Sequence, residues 1–537
     1  MADEAVRPSG GGGIFLALAL VAALALVGLE VRLGHTYPLR EFDTEQRAGS
    51  ARALLETGKW SALTLRHWEL VGHEQTARDR PWPVQVWSLG YPLLLAAGFA
   101  LVHNQDAVAV GLPVLAYLAC FVLTFLLARR LGGVKVAGLA LVLLLAHAGL
   151  AQRSAVSHLE STYAVFLLGA TLLFIARPGR WGVALLGGAL LGFAYTIRPT
   201  ALAWFPLVLL AGVGEEPDRR RGGIFAAVLG LALMLAANTL LVKALSPPAL
   251  PVTGPTISYG QMQLREATPL SISTADHAVP QSLSRDELLT RWPEFAQKLT
   301  RGAGEALLNV GYVFPVGLLL LAVMGMLAAV KRPEARVLAG VALVAAGLGA
   351  LGVLLTAYFS MDRYFADWAP FLAVFGALGL GWAYEQASSA GRTLAPAALV
   401  LVALVLVGGP FLTALLPLRS LSRLPEGYFL GREVERLVPT GAIVGSPAAA
   451  EIAWHGHRRA IVLPLLSPDQ VLEVDRRLQR MDALVLEKGQ FPGGTPPETL
   501  GDFRKVGEAV TAWRVVKGQR DMHTWEVYVR ARVRSGT

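Results

Sequence analysis

Carboxylates at the edges of hydrophobic runs, with arginines near them, are the side chains of this sequence best placed to do chemistry. Asp43 lies in Arg40-Glu-Phe-Asp43-Thr-Glu45, shortly after the first apolar run. Glu160 lies in His158-Leu-Glu160, at the head of a later one. Arg198 separates two apolar runs in Arg198-Pro-Thr, and Arg363-Tyr364 follows Asp362 between two late runs. Ionisable groups at membrane depth or at helix mouths are costly, so each is a functional candidate by default. A carboxylate can take the proton of a hydroxyl as general base. A guanidinium presents a rigid fork of donors that suits phosphate and can stabilise charge developing on a leaving group.

Each candidate also has a plainer reading. Asp43 with Gln46 matches a capping box at the start of a helix over 44–57 that Gly58 ends. A cap would fix the carboxylate's position, so it is compatible with a catalytic role. Glu160 suits an acidic first turn, favoured by the helix dipole. Arg363 could pair with Asp362 or Asp367. His67-Trp-Glu69 and His73-Glu74 have metal-ligand residue types but fit no strong motif, and read as a solvated loop.

The elements that must position these residues are membrane helices. The chain has 537 residues, of which 16% are charged, against about 25% in soluble domains; its mean hydropathy is +0.49. Candidate spans lie near 13–33, 107–128, 135–152, 161–176, 181–197, 199–214, 222–245, 305–330, 336–358, 364–384 and 394–417, about eleven in all. The apolar stretch 90–102 is too short to span and reads as re-entrant or surface-lying. Residues 1–13 are polar and glycine-rich, with no cleavage site before the first run, which therefore reads as a retained helix. The net charge of +9 is concentrated in short basic loops such as Arg129-Arg130 and Arg219-Arg220-Arg221. Those loops should be cytoplasmic, and nucleic acid is not implied as a partner. The alternation places the N-terminus in the cytoplasm of an inner or plasma membrane. It places the loops 34–106 and 246–304, and the tail from 418, on the other side. Residues 1–417 form the membrane domain on this reading. Residues 418–537 form a soluble α/β domain, with strands near 441–445, 460–463 and 482–486 and a helix over 467–480. Trp525, Val527 and Val529 alternate with Glu526, Tyr528 and Arg530, which predicts a strand with one wet face. Cys120 is the only cysteine, so neither an internal disulfide nor a multi-cysteine metal site is available.

The acids and arginines fall on the side of the membrane that lacks nucleotide-activated donors. Group transfer there needs a donor activated beforehand and carried by lipid. A polyprenyl-phosphate-linked sugar fits, with an extracytoplasmic lipid, glycan or protein as acceptor. Five features then point the same way. Glu41-Phe-Asp43-Thr-Glu45 leads into a helix that ends before Gly58-Lys-Trp60; Trp87 to Leu95 contains Tyr91-Pro92; Ala128-Arg-Arg-Leu-Gly132 is a basic turn after a span; His158-Leu-Glu160 supplies a second acid; and Arg363-Tyr364 is followed by Pro370. In these respects residues 13–420 resemble the type C-fold (GT-C) membrane glycosyltransferases, the broad family that includes protein O-mannosyltransferases and lipid A aminoarabinose transferases. The resemblance implies an inverting single displacement, with Asp43 as base, Glu160 assisting, and Glu45, His158, Arg198, Arg363 and Tyr364 binding substrate. It implies no fixed metal, because members differ in metal use; a divalent cation stays a candidate cofactor. The sequence departs from the pattern in having Thr44 after Asp43 and Glu as the second acid.

Two other readings compete. An O-antigen ligase or polymerase would gather basic and histidine residues in a large late loop. A transporter would carry substrate-binding groups near mid-membrane and internal repeats. The spans here are nearly free of charge at their centres, Lys243 lying near a helix end.

Overall fold

The computed structural model of the chain describes residues 11–33, 42–66, 81–84, 88–247, 292–356, 365–389, 426–463, 471–472, 475, 481–488, 499–516 and 519–531. Its apolar runs are helical, and glycines, prolines and caps set where they stop. Helix α1 (Gly11–Leu33) precedes α2 (Phe42–Thr57). Gly58 ends α2 at a φ of +66°, its N–H donating to the Leu54 carbonyl, as a glycine C-cap does. Three short strands follow, β1 (Ser61–Ala62), β2 (Thr64–Arg66) and β3 (Trp82–Pro83), then the twelve-residue helix α3 (Gly90–Leu101). Asn104 caps α4 (Gln105–Gly132) by accepting the Ala107 N–H. Next come α5 (Val134–Leu145), α6 (Ala148–Ala155), α7 (Glu160–Ala176) and α8 (Trp181–Ile197). A 3-10 helix over Pro199–Gly212 leads to α9 (Pro217–Leu245). The later helices are α10 (Trp292–Val313), α11 (Val316–Ala328), α12 (Pro333–Thr356) and α13 (Ala369–Ser389).

Five of the described helices are long and apolar enough to cross a membrane, six if the bent pair α5–α6 counts as one; five more apolar helices are shorter. Three expected spans are not continuous α-helices. The run 305–330 breaks at Phe314-Pro315 into α10 and α11, because proline lacks the N–H a continuing helix needs. The run 135–152 breaks at Ala146-His147, and 199–214 winds as a 3-10 helix with Pro206 inside it. The expected span 394–417 lies outside the described residues.

Glycines let the helices approach backbone to backbone. A β-carbon added to Gly188 of α8 would strike the Ala227 carbonyl of α9, and one on Gly230 would strike the Leu185 carbonyl. Gly325 of α11 and Gly379 of α13 are closed off by the partner helix's backbone in the same way. Between membrane helices, where lipid supplies no hydrophobic drive, close packing of small residues carries the association. Gly188→Leu is therefore expected to cost more than the ~1–3 kcal/mol of ordinary core overpacking, since a backbone carbonyl cannot swing aside. Thermal unfolding in detergent checks this. Gly182→Ala, on the same helix with open space around it, should unfold like the parent.

The C-terminal domain is built from α14 (Glu426–Leu437), β4 (Ile443–Ser446), α15 (Ala449–His455), β5 (Arg459–Val462), β6 (Ala483–Glu487), β7 (Thr499–Leu500), β8 (Phe503–Val516) and β9 (Gln519–Arg530). The strands form one sheet in the order β2-β5-β4-β6-β9-β8-β7, parallel from β2 to β6 and antiparallel beyond. The strands near 441–445, 460–463 and 482–486 thus fall where the sequence places them; the helix expected over 467–480 lies mostly outside the described residues. Two findings go beyond that reading. Strand β2, from the segment that follows α1, is the sheet's edge, Thr64 pairing with Ala460. Trp82 of β3 is buried in the core on one face. The wet face expected for β9 does not exist: Glu526 and Tyr528 are as buried as Val527. A core lies on each side of the strand: Tyr528 packs in one with Trp82 and Phe503, Trp525 and Val527 in the other with Leu430 and Val434. Glu526 survives there by accepting from the Tyr528 hydroxyl at 2.7 Å and from Lys505 Nζ at 3.0 Å.

Candidate active site

The site is assembled where four helix ends meet. Arg153 ends α6, and a tight turn through Ser157, at a φ of +71°, delivers the chain to α7. The His158 N–H donates to the Arg153 carbonyl at 3.0 Å, and the Ser154 and Ser161 hydroxyls lie 2.6 Å apart. The Tyr91 hydroxyl of α3 donates to the Ser157 carbonyl at 3.1 Å. This brace places Glu160 at the first position of α7, almost fully buried, where the free N–H groups of a helix start favour negative charge.

Arg198, between α8 and the 3-10 helix, reaches two acids at once. Its Nη2 is 3.8 Å from Glu160 Oε1 and its Nη1 is 3.6 Å from Asp367 Oδ1. Asp367 is buried in a short 3-10 turn just before α13. His158 Nδ1 lies 3.6 Å from Glu160 Oε2, and the charges of Arg153 and Arg47 also act on Glu160. Removing one member of such a buried array would strand the others, at about 3–5 kcal/mol. Arg198 and Asp367 form the polar end of a cavity of about 240 Å³. Its other walls include Trp204, Val310, Phe314, Trp368 and Leu372. The Trp204 ring packs on Trp368 at 4.8 Å and stacks on Phe371 at 4.6 Å. One guanidinium in the wall of a largely apolar slot suits an amphiphile with an anionic head, and the volume holds the first part of a lipid chain rather than all of it.

Helix α2 approaches from the first segment after α1. Asp43 stands in its first turn, inside the helix rather than at its cap, with Oδ2 buried. Arg47, one turn on, shares its face, and its charge also acts on Glu160 and Tyr91. Glu45 points elsewhere, its Oε1 lying 3.8 Å from His455 Nε2 of the C-terminal domain. That spacing would admit an ion pair. Burial, reinforced by Glu451, instead pushes the Glu45 carboxyl well above its ordinary range, and burial with the nearby Arg52 charge pushes the His455 imidazole down to about 3. His455 is therefore neutral near pH 7, and burial disfavours charge on Glu45.

No protein-family model matches the chain, and no curated protein matches its sequence. Solved structures do match. The apo oligosaccharyltransferase of Archaeoglobus fulgidus superposes with a TM-score of 0.55 at 12% identity, over 90% of this chain and 70% of that one. The AglB oligosaccharyltransferase of that organism, in complex with an inhibitory peptide and a dolichol-phosphate, gives 0.53 at 12% identity, over 88% and 69%. ArnT from Cupriavidus metallidurans, bound to undecaprenyl phosphate, gives 0.53 at 14% identity, over 99% of this chain and 100% of that one. The fold is that of the type C membrane glycosyltransferases.

Within this fold the structure brings together His158, Glu160 and Arg198 of the residues selected from sequence. It sets Asp43 on the face of α2 that carries Arg47 and turns Glu45 to the domain interface. Arg363 and Tyr364 lie outside the described residues. Sequence reasoning passed over Asp367 as a site residue, weighing it only as a partner for Arg363; an acid at the head of an apolar helix was the available signal. His455, which is not among the residues selected from sequence, is the buried last residue of α15.

A further Archaeoglobus fulgidus oligosaccharyltransferase structure is a complex with Zn and sulfate. In the present chain no three His, Cys, Asp or Glu side chains converge among the described residues. Glu160 and Asp367 are both turned to Arg198, and His67, Glu69, His73 and Glu74 lie outside the described residues. The described side chains do not present a metal-binding set.

Proposed function

We propose that this protein is an integral membrane glycosyltransferase that moves a sugar from a polyprenyl-phosphate carrier to an extracytoplasmic acceptor, with inversion at the anomeric carbon. The observation that carries this reading is Arg198, held between Glu160 and Asp367 at the polar end of an apolar cavity. Lipid-phosphate ligands named in two of the matching structures, a dolichol-phosphate with AglB and undecaprenyl phosphate with ArnT, support it. So does the sheet pairing of β2 with β5, which fits the segment after α1 and the C-terminal domain lying on one side of the membrane. In this reading the basic short loops mark that side as extracytoplasmic.

In the proposed reaction the lipid chain enters the cavity past Trp204 and Phe314, and its phosphate meets Arg198. Asp43 takes the proton of the acceptor hydroxyl. The hydroxyl oxygen bonds to the anomeric carbon as that carbon's bond to the phosphate oxygen breaks. The electron pair leaves on the polyprenyl monophosphate, whose developing charge Arg198 stabilises. Glu160, with His158, fixes the guanidinium's orientation.

The test is to incubate the purified, lipid-reconstituted protein with undecaprenyl-phosphate sugars, hexosyl and pentosyl, and envelope lipid or glycan acceptors, and to follow undecaprenyl phosphate by mass spectrometry. Acceptor-dependent release of the monophosphate is expected from at least one donor. A divalent cation would declare itself as release that chelator abolishes and Mg²⁺, Mn²⁺ or Zn²⁺ restores. No release from any donor, with or without these ions, overturns the assignment.

A further inference from the structure

Trp454, the penultimate residue of α15 in the C-terminal domain, is 2% exposed and touches three elements of the membrane part. Its indole Nε1–H donates to Asp106 Oδ1 of α4 at 3.0 Å. Its ring lies 3.8 Å beneath the Arg52 guanidinium of α2, and its own carbonyl accepts from Arg52 Nη1 at 2.9 Å. The Phe99 ring of α3 completes the enclosure, with centroids 6.1 Å apart. Arg52 is tied on its other side as well, donating from Nε to Gln105 Oε1 at 2.8 Å. Stacking and hydrogen bonding thus hold one planar cation from both its face and its edge, and a planar guanidinium so fixed resists both rotation and sliding.

Arg52 lies nine residues after Asp43 on the same uninterrupted helix, on the order of 13 Å along its axis. A helix that short transmits an axial slide or twist without attenuation. Glu45, two residues from Asp43, also faces the C-terminal domain at His455, across 3.8 Å, so the domain meets α2 at two points, the second of them the stacked and hydrogen-bonded Arg52.

Resting on the glycosyltransferase reading, we propose that Trp454 is a positioning residue. By clamping Arg52 against the start of α4 it fixes the register of α2, and through α2 it holds Asp43 within reach of the acceptor hydroxyl. The C-terminal domain is then a part of the catalytic apparatus that never touches substrate.

The variant Trp454→Phe keeps an aromatic ring at that position and loses the donor to Asp106 together with part of the indole's area, which Asp106→Leu leaves in place. Because misplacement by about 1 Å costs on the order of 10²-fold, kcat should fall roughly 10- to 100-fold while KM for the lipid donor stays within about twofold. Asp106→Asn keeps an acceptor oxygen and should retain parental kcat, whereas Asp106→Leu should behave like Trp454→Phe. An unchanged kcat in Trp454→Phe, or a loss confined to yield and melting temperature, overturns the proposal. Spin labels at Leu55 of α2 and Leu115 of α4, both exposed, in a Cys120→Ser background, give a readout that needs no turnover. Their distance distribution should be narrow in the parent and broad in Trp454→Ala. An equally narrow distribution in the variant refutes the clamp, whereas a broad one beside an inactive parent removes the glycosyltransferase reading and leaves the clamp standing.

Discussion

Asp43→Asn is expected to lower the rate of lipid-phosphate release by about 10²–10⁴-fold, the range that general-base catalysis contributes, with little change in donor KM. The amide has the shape of the carboxylate and cannot accept the acceptor's proton. Structural damage should be slight. Asp43 stands in the first turn of α2, and loss of one negative charge there costs roughly 0.3–1 kcal/mol. A small drop in melting temperature beside a large drop in kcat would separate catalysis from helix starting. If the variant keeps more than about a tenth of parental kcat, Asp43 is a helix-start acid only, and the base must be sought elsewhere in the site.

Arg198 should show a different pattern. In Arg198→Ala the guanidinium that joins Glu160 to Asp367 is gone, and two buried acids face each other without it. Truncating one partner of a buried charge array costs about 3–5 kcal/mol, so poor yield is expected and would by itself say little about the reaction. Arg198→Lys is the informative variant. It restores one positive charge but no planar fork, so it can serve one carboxylate or a phosphate and not bridge two groups at once. We expect it to fold, to bind donor more weakly, and to lose about 10²–10³-fold in kcat, the range seen when a preorganised anion-stabilising donor is removed. Steady-state kinetics over a donor series measures both parameters. Parental kcat in Arg198→Lys would place the leaving-group contact on another residue.

Membrane character, the α/β tail and the fold type were readable from the sequence because they rest on composition, on long periodic runs and on motif order. His158, Glu160 and Arg198 were readable for a sharper reason: charge beside an apolar run is costly, so it stands out. Asp367 obeys the same rule, and was missed because Arg363, four residues earlier, drew the argument to itself. The polar-looking face of β9 was misjudged because alternation cannot show that a second core, the one holding Tyr528, packs on that side. Glu526 looks solvent-facing until Lys505, on the neighbouring strand, is seen to neutralise it. Trp454 and His455 sit on a seven-residue helix too short to carry a period, and their partners on α2 and α4 are hundreds of residues away. Such contacts are properties of the assembled chain.

The sheet's edge strand has a consequence for biosynthesis. Residues 64–66 leave the ribosome early, and their partner, residues 459–462, comes almost four hundred residues later. At about 5–20 residues per second the strand waits on the order of 20–80 s with its hydrogen-bonding edge open. Trp82 waits alongside it, without the core that will bury it. The nascent chain therefore passes through an interval in which its membrane helices can already be inserted while a sticky fragment of the last domain lies bare, and in that interval a chaperone would have its best opportunity to act.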